Sequence, residues 1–373
     1  MKKALLFIMM IGLIAGLVQA QVPKMELMWE KQVDSTIGYY NGYIKYDEKL
    51  GEPRITVSFV WTKPIAFDTL GRSDRFATLD LVRPKVDSGW AVWVTPDEKR
   101  VIAIFGASGE DWFLNDRYTF HGTEDTKLFF YDRQGRTVRK VATPYLSVLK
   151  MSLYQSRVYA VTGGMSSKGG ILVNTLLCLD RDGRELWRKS EPYHDNIIDC
   201  GEDGSLFCME YVGTKAKGDW SAKFYDKDGN LVNQVRFENV ESAGSHAVMS
   251  KDGQYVALKF NDKLQLLSRS SPNPLWQTGS YNMWKDFDIS SDGKYVAISV
   301  RGPSTGSIGQ LIKTKVVLLN QSGQEIWNTE PDGWINPLFL GRHFLVMSKS
   351  TKKGDWIEKN KIRLYRIAVE GGR

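Results

Sequence analysis

Two stretches place lysines, an acidic residue and a tryptophan side by side, and a third repeats the acidic residue and the tryptophan. They are Thr214-Lys215-Ala216-Lys217-Gly218-Asp219-Trp220, Thr351-Lys352-Lys353-Gly354-Asp355-Trp356 and the partial copy Gly109-Glu110-Asp111-Trp112. Ammonium groups beside an indole can hold an anionic glycan or an acidic protein surface through charge and ring-face contacts. The competing role is architectural, with the tryptophan tucked into packing and the lysines solvated. A second group comprises His194, Asp195 and His246, together with Trp284, Lys285, Asp286 and Trp334. Imidazole and carboxylate in one place can bind a polar ligand or exchange protons with it, and the same residues can equally line a water-filled channel.

Other chemistries find less support. The four histidines, His121, His194, His246 and His343, lack the spacing of a local metal site. Asp180 and Asp226 each begin an Asp-x-Asp-Gly run, but a calcium loop needs glycine at its sixth position and glutamate at its twelfth. The sixth residue from Asp180 is Glu185 and the twelfth from Asp226 is Phe237, so these runs are turns. No phosphate loop occurs. Cys178, Cys200 and Cys208 are three cysteines, an odd number and too few for a disulfide framework. A four-residue loop at Gly201 to Gly204 predicts Cys208 opposite Ile197, with all three thiols as small buried hydrophobes. The expectation is therefore no metal, no cofactor and no assigned catalytic residue.

The elements that must carry these residues repeat. An apolar run breaks at an Asp- or Asn-led turn and resumes around glycine at Phe130 to Gly135, Leu179 to Gly183, Phe224 to Gly229 and Leu318 to Gly323. The turn glycines are 183 − 135 = 48, 229 − 183 = 46 and 323 − 229 = 94 residues apart, the last being two units of 47. A tryptophan follows at a fixed step in Glu185-Leu186-Trp187, Glu325-Ile326-Trp327 and Pro274-Leu275-Trp276. Between these units runs a second hairpin signature, Asp-Gly followed by period-2 alternation, as in Asp252 to Leu258 and Asp292 to Ile298. Four short strands per unit of that length predict an all-β chain, a single seven-bladed β-propeller of four-stranded antiparallel blades.

The spacing predicts blades near 88–142, 145–189, 194–237, 244–278 and 284–328. An earlier, degenerate blade at 35–83 is predicted to turn at Asn41-Gly42, with Arg54 to Trp61 as its third strand. The last unit, 334–349 plus Lys361 to Val369, lacks its outer strand. Met25 to Lys31, with Trp29 at the repeat step, is predicted to supply it and close the ring. The two lysine–tryptophan loops, the partial copy Gly109-Glu110-Asp111-Trp112 and the His194/His246 group are then expected on one face.

Residues 1–20 read as a cleaved secretory signal, with Lys2 and Lys3 before an apolar run and a cut between Ala20 and Gln21. The apolar run is short of the ~20 residues that span a bilayer, so no membrane span is expected after cleavage. Residues 21–373 are expected to form one domain, monomeric, and periplasmic or secreted. Formal charge falls from +7 to +5 without Lys2 and Lys3. That excess is dispersed, which favours anionic surfaces and argues against nucleic acid.

The turn-plus-tryptophan unit, as in Leu179 to Trp187, resembles the repeat of quinoprotein-like (PQQ-type) propellers. Ser290 to Ala297 is similar to the hairpins of WD-repeat-like and TolB-like propellers. The resemblance implies a propeller and leaves the activity open. Many enzymatic quinoproteins carry an adjacent cysteine pair, which is missing here. The expected function is an exported, non-catalytic binding or scaffold module for an envelope or extracellular protein or an anionic polymer. The alternative is a propeller enzyme acting at the channel mouth, either a polysaccharide lyase or hydrolase or a divergent quinoprotein.

Overall fold

The Asp-led turns form because one side chain replaces water for the exposed backbone. Asp180 Oδ1 accepts from the Asp182 and Arg184 amides, both at 2.8 Å. Asp226 Oδ1 accepts from Asp228 and Asn230 at 2.9 and 2.8 Å, and Asn320 Oδ1 from Ser322 and Gln324 at 3.0 Å each. The glycine that ends each turn sits at positive φ, 77° at Gly183, 81° at Gly229 and 78° at Gly323, a region costly for other residues.

The computed structural model describes residues 24–33, 42–47, 54–59, 65–68, 73–74, 91–94, 99–108, 118–119, 121–132, 134–152, 154–164, 173–191, 198–212, 217–241, 246–260, 263–279, 283–301, 313–331, 334–353 and 356–368. They are almost entirely antiparallel strand, with one short 3-10 turn at Tyr154–Ser156. Four sheets each run in chain order within one repeat. They are Ala91–Val94 to Thr137–Ala142, Ile198–Cys200 to Leu231–Glu241, His246–Met249 to Trp276–Gln277 and Met283–Ile289 to Glu325–Asn328. A fifth, Leu146–Met151 to Glu185–Glu191, gains Tyr118–Thr119 along its first strand. Gly42–Asp47, Arg54–Phe59, Ile65–Asp68 and Ser73–Asp74 form a sixth. In the seventh, Trp334–Leu340, Phe344–Lys353 and Trp356–Ala368 are joined by Lys24–Val33 from the start of the chain. From Leu146–Met151 to Trp334–Leu340, the first strands of consecutive sheets lie side by side. This is a propeller-type arrangement.

Two expectations of detail change. Gly42–Asp47 pairs directly with Arg54–Phe59, so Arg54–Phe59 is the second strand of its sheet and Asn41-Gly42 is not its inner turn. Cys208 faces Ile198 rather than Ile197, because the loop takes in Ser205, whose carbonyl accepts the Gly201 amide at 3.0 Å.

Cores lie between sheets. Phe207, Met209, Trp220, Ala222 and Phe224 of one sheet meet Val256, Leu258 and Phe260 of the next. Each of the Val, Leu, Met and Phe side chains contributes roughly 1.5–3 kcal/mol by leaving water. The inner turns are also joined by backbone bonds: Glu202 N to Lys251 O at 2.6 Å, and Asp252 N to Ser291 O and Ser291 N to Gly341 O at 3.1 Å.

The outermost strands share a β-bulge. The register slips across Met28, Val138, Leu186, Val232 and Ile326, each directly before the repeat-step residue. The first four are exposed aliphatic side chains and Ile326 is half-buried.

Candidate functional site

The inner turns of neighbouring sheets are bonded together at one end, so the first strands begin together at the other. Near the inner-turn end the first strands are stitched by carboxylates. Asp199, penultimate in its strand, accepts the Met249 amide of the next sheet at 2.8 Å, and Asp288, in the same position two sheets on, accepts the Phe339 amide at 2.6 Å. An edge strand leaves such N–H groups unpaired, and a charged acceptor satisfies them strongly. Lys150, from the preceding sheet, reaches Asp199 Oδ1 at 3.2 Å with both side chains largely buried. Lys223 and Glu210 make a second buried pair at 2.7 Å. Sequence reading passed over these residues, whose partners lie in other strands or other repeats.

At the opposite end stand the residues picked out at the mouth. His246 opens its strand, and its ring meets Phe287 of the next sheet edge-on, centroids 5.4 Å apart. On that neighbouring strand Trp284, Lys285 and Asp286 fall between the pairs Met283↔Val300 and Phe287↔Ile298, three residues opposite Ser299 alone. Trp334 begins the following first strand, and the adjacent Ile335 amide is held by Thr314 Oγ1 at 2.8 Å. The fold therefore brings His246, Trp284, Lys285 and Trp334 to one end on three successive strands. His194 and Asp195 lie outside the described residues.

The two lysine–tryptophan loops differ in height. Phe224, opposite Asn233, and Leu364, opposite Trp29, mark the same repeat step. Trp220 stands four residues before that step and Trp356 eight, a difference of about 13 Å along a strand. Lys353 pairs across the hairpin with Trp356, and Lys352 with Ile357. Trp220 is 1 % exposed and meets Phe260 of the next sheet edge-on at 5.4 Å, which is a packing position; Asp219 beside it is exposed. Lys217 begins the strand that carries Trp220. Lys215 and Asp355 lie outside the described residues, as does Gly109-Glu110-Asp111-Trp112.

The thiols are poor nucleophiles. Burial pushes Cys178 up to about 12 and Cys200 further still, with Asp199 adding to the latter. Tyr159, whose hydroxyl donates to the Gly204 carbonyl at 2.7 Å, is likewise pushed up by burial. Among the described residues no group of three or more His, Cys, Asp or Glu side chains is placed to hold a metal ion, and no helix is long and apolar enough to cross a membrane. By backbone position, His246, Trp284, Lys285 and Trp334 share that end of the sheets, on strands whose other ends are stitched by Asp199 and Asp288.

No family model and no curated protein matches the sequence. Among solved structures, the chain is similar to BamB from Moraxella catarrhalis at 14 % identity and TM-score 0.42, covering 92 % of this chain and 100 % of that one. It is similar to a member of the DUF4221 family from Bacteroides vulgatus at 10 % identity and TM-score 0.46, covering 93 % and 99 %. A eukaryotic initiation factor gives 10 % identity and TM-score 0.49 over 90 % and 87 %. Likeness at this level says nothing about activity, and the propeller-type fold rests on the sheet topology itself.

Proposed function

We propose that this chain is an exported, seven-bladed propeller, closed by its N-terminal strand, that acts as a binding or scaffold module without a catalytic cofactor. Its partner is an envelope or extracellular protein with an acidic surface, or an anionic polymer. The observation that carries this reading is the convergence at one end of His246, the out-of-ladder segment Trp284-Lys285-Asp286 and Trp334, on strands whose far ends are fixed by Asp199 and Asp288. Lys215, Lys217, Lys352 and Lys353, expected from the sequence on the same face, would add positive charge to it, and the formal charge without Lys2 and Lys3 is +5. Attraction of this kind is screened over about 8 Å at physiological ionic strength, so binding should weaken with salt.

The test is capture from an envelope extract by the purified chain, compared with the variant carrying alanine at Lys215, Lys217, Lys352 and Lys353. Salt-sensitive capture by the native chain and its loss in the variant, with thermal stability nearly unchanged, would support the proposal. Equal capture by both would remove this face. Turnover of an extracellular polysaccharide by the purified chain would favour the enzyme reading instead.

A further inference from the structure

The strand Lys24–Val33 is held differently from the strands inside the sheets. Its partner, Trp356–Ala368, lies at the far end of the chain, and all of its inter-strand pairs are with that one strand. None of the residues Lys24 to Glu30 is buried, and Leu27 is 54 % exposed. Among the residues Lys24 to Glu30, Met25 is packed against the last core cluster. Three side-chain ion pairs reinforce the ladder: Glu26 with Arg366, Glu30 with Lys361 at 2.9 Å and Glu30 with Arg363 at 2.5 Å. From Lys24 to Glu30 the strand is held by backbone bonds and charge, with Met25 and Trp29 half-buried and no side chain fully buried, which marks it as a segment that opens locally.

We propose that Lys24–Val33 exchanges between two copies of this chain, each strand seating in the other's last sheet, and that acid promotes the exchange. A second copy offers a chemically identical slot, so exchange preserves every pair and costs mainly the entropy of association. Simple edge-to-edge addition is a poorer route, because the register slip across Met28 interrupts the strand. The acid sensitivity follows from the groups around the two carboxylates. Glu26 faces Arg366 and Lys24; Glu30 faces Lys361, Arg363 and the ring of Tyr365. Hydrogen bonds from Arg366, and from Lys361 and Arg363, hold both carboxyls below the ordinary glutamate value of 4.5. A carboxylate held low stabilises the seated strand above that ordinary value. The contribution fades as pH falls from there through the lowered value.

The full chain is incubated at high concentration at neutral pH and at about pH 4, near the ordinary glutamate pKa. It is returned to neutral pH and sized by light scattering. Acid should speed the appearance of dimer several-fold, and Glu26→Gln with Glu30→Gln should speed it without acid. The double variant Lys24→Cys with Ala368→Cys, opposite in register, should give no dimer once oxidised within one chain. Dimerisation of that locked chain to the native extent would overturn the proposal, as would absence of dimer in the native chain under every condition. Hydrogen exchange on the native chain gives an independent readout. Amides 24–33 should exchange before those of Tyr255–Phe260, and equal protection would also overturn it.

Discussion

Trp187 rests against Gly229 of the following sheet: a Cβ at Gly229 would stand 2.9 Å from the indole, whose Nε1 donates to the Lys227 carbonyl at 3.2 Å. The relationship recurs between Trp276 and Gly323, while Gly183 meets Phe130 of the third strand together with Arg139 at the repeat step. Tryptophan step and turn glycine are therefore two halves of one contact between neighbouring repeats. Gly229→Ala and Gly323→Ala should each cost more than about 1 kcal/mol, since a methyl group meets both a ring and a positive φ. Gly279→Ala, with nothing within 4 Å, should change stability by less than about 0.5 kcal/mol. Urea midpoints for the three variants give the comparison, and equal losses at all three positions would refute the contact.

Asp199→Ala removes the acceptor of the Met249 amide and leaves Lys150 largely buried without its counter-charge. A loss of about 3 kcal/mol or more is expected. Lys150→Met removes a charge while keeping the stem's volume, and Asp199 retains its backbone donor, so its cost should be smaller. Asp288→Ala orphans one amide, worth about 1–3 kcal/mol. An inverted order between Asp199→Ala and Lys150→Met in denaturant titrations would contradict the stitching role.

The raised Cys178 and Cys200 thiols predict both reactivity and a pH slope. Neither thiol should react with a disulfide reagent at pH 8 until the protein unfolds. In the unfolded chain a cysteine ionises from its ordinary value of 9.0, while folded Cys178 holds its proton to about 12. Stability from this source is complete below pH 9 and declines as pH rises toward 12. Reagent uptake by the native protein, or alkaline stability that a Cys178→Ala variant fails to alter, would count against it.

Trp220→Ala should cost roughly 3–5 kcal/mol, as for a buried aromatic cut to alanine. It should lower the melting temperature before it affects any partner. Asp219→Ala, one residue away and exposed, should leave stability within about 0.5 kcal/mol. Near-native melting of the Trp220 variant would mean that its burial between sheets contributes little.

The turn glycines and the tryptophan step were legible because each is set by local chemistry: a side-chain oxygen capping a turn, and a positive φ. The pairing of Met25 to Lys31 with the last sheet was legible because Trp29 repeats the same step, and it pairs with Leu364 as Trp187 pairs with Cys178. The 42–74 sheet misled because Asn41-Gly42 has the dipeptide of a tight hairpin but is followed by the sheet's first strand. The two lysine–tryptophan loops read as copies, yet a motif does not record its distance from the strand's reference point. The irregularity between Thr351 and Lys352 and the longer third strand shift Trp356 outward. Asp199 and Asp288 escaped notice because the amides they bind lie 50 and 51 residues away, one full repeat on.

The pairing of Lys24–Val33 with Trp356–Ala368 sets a waiting time. Lys361 follows its partner Glu30 by 331 residues, so a ribosome adding about 5–20 residues per second needs roughly 15–70 s to make the second half of that contact. Through that interval the earliest strand of the sheet, with its Met25 and Trp29, has no slot to enter. Among the described strands, the first made has its partner in the last made, and whatever accompanies the emerging chain must keep that strand from other β-edges until Ala368 has been made.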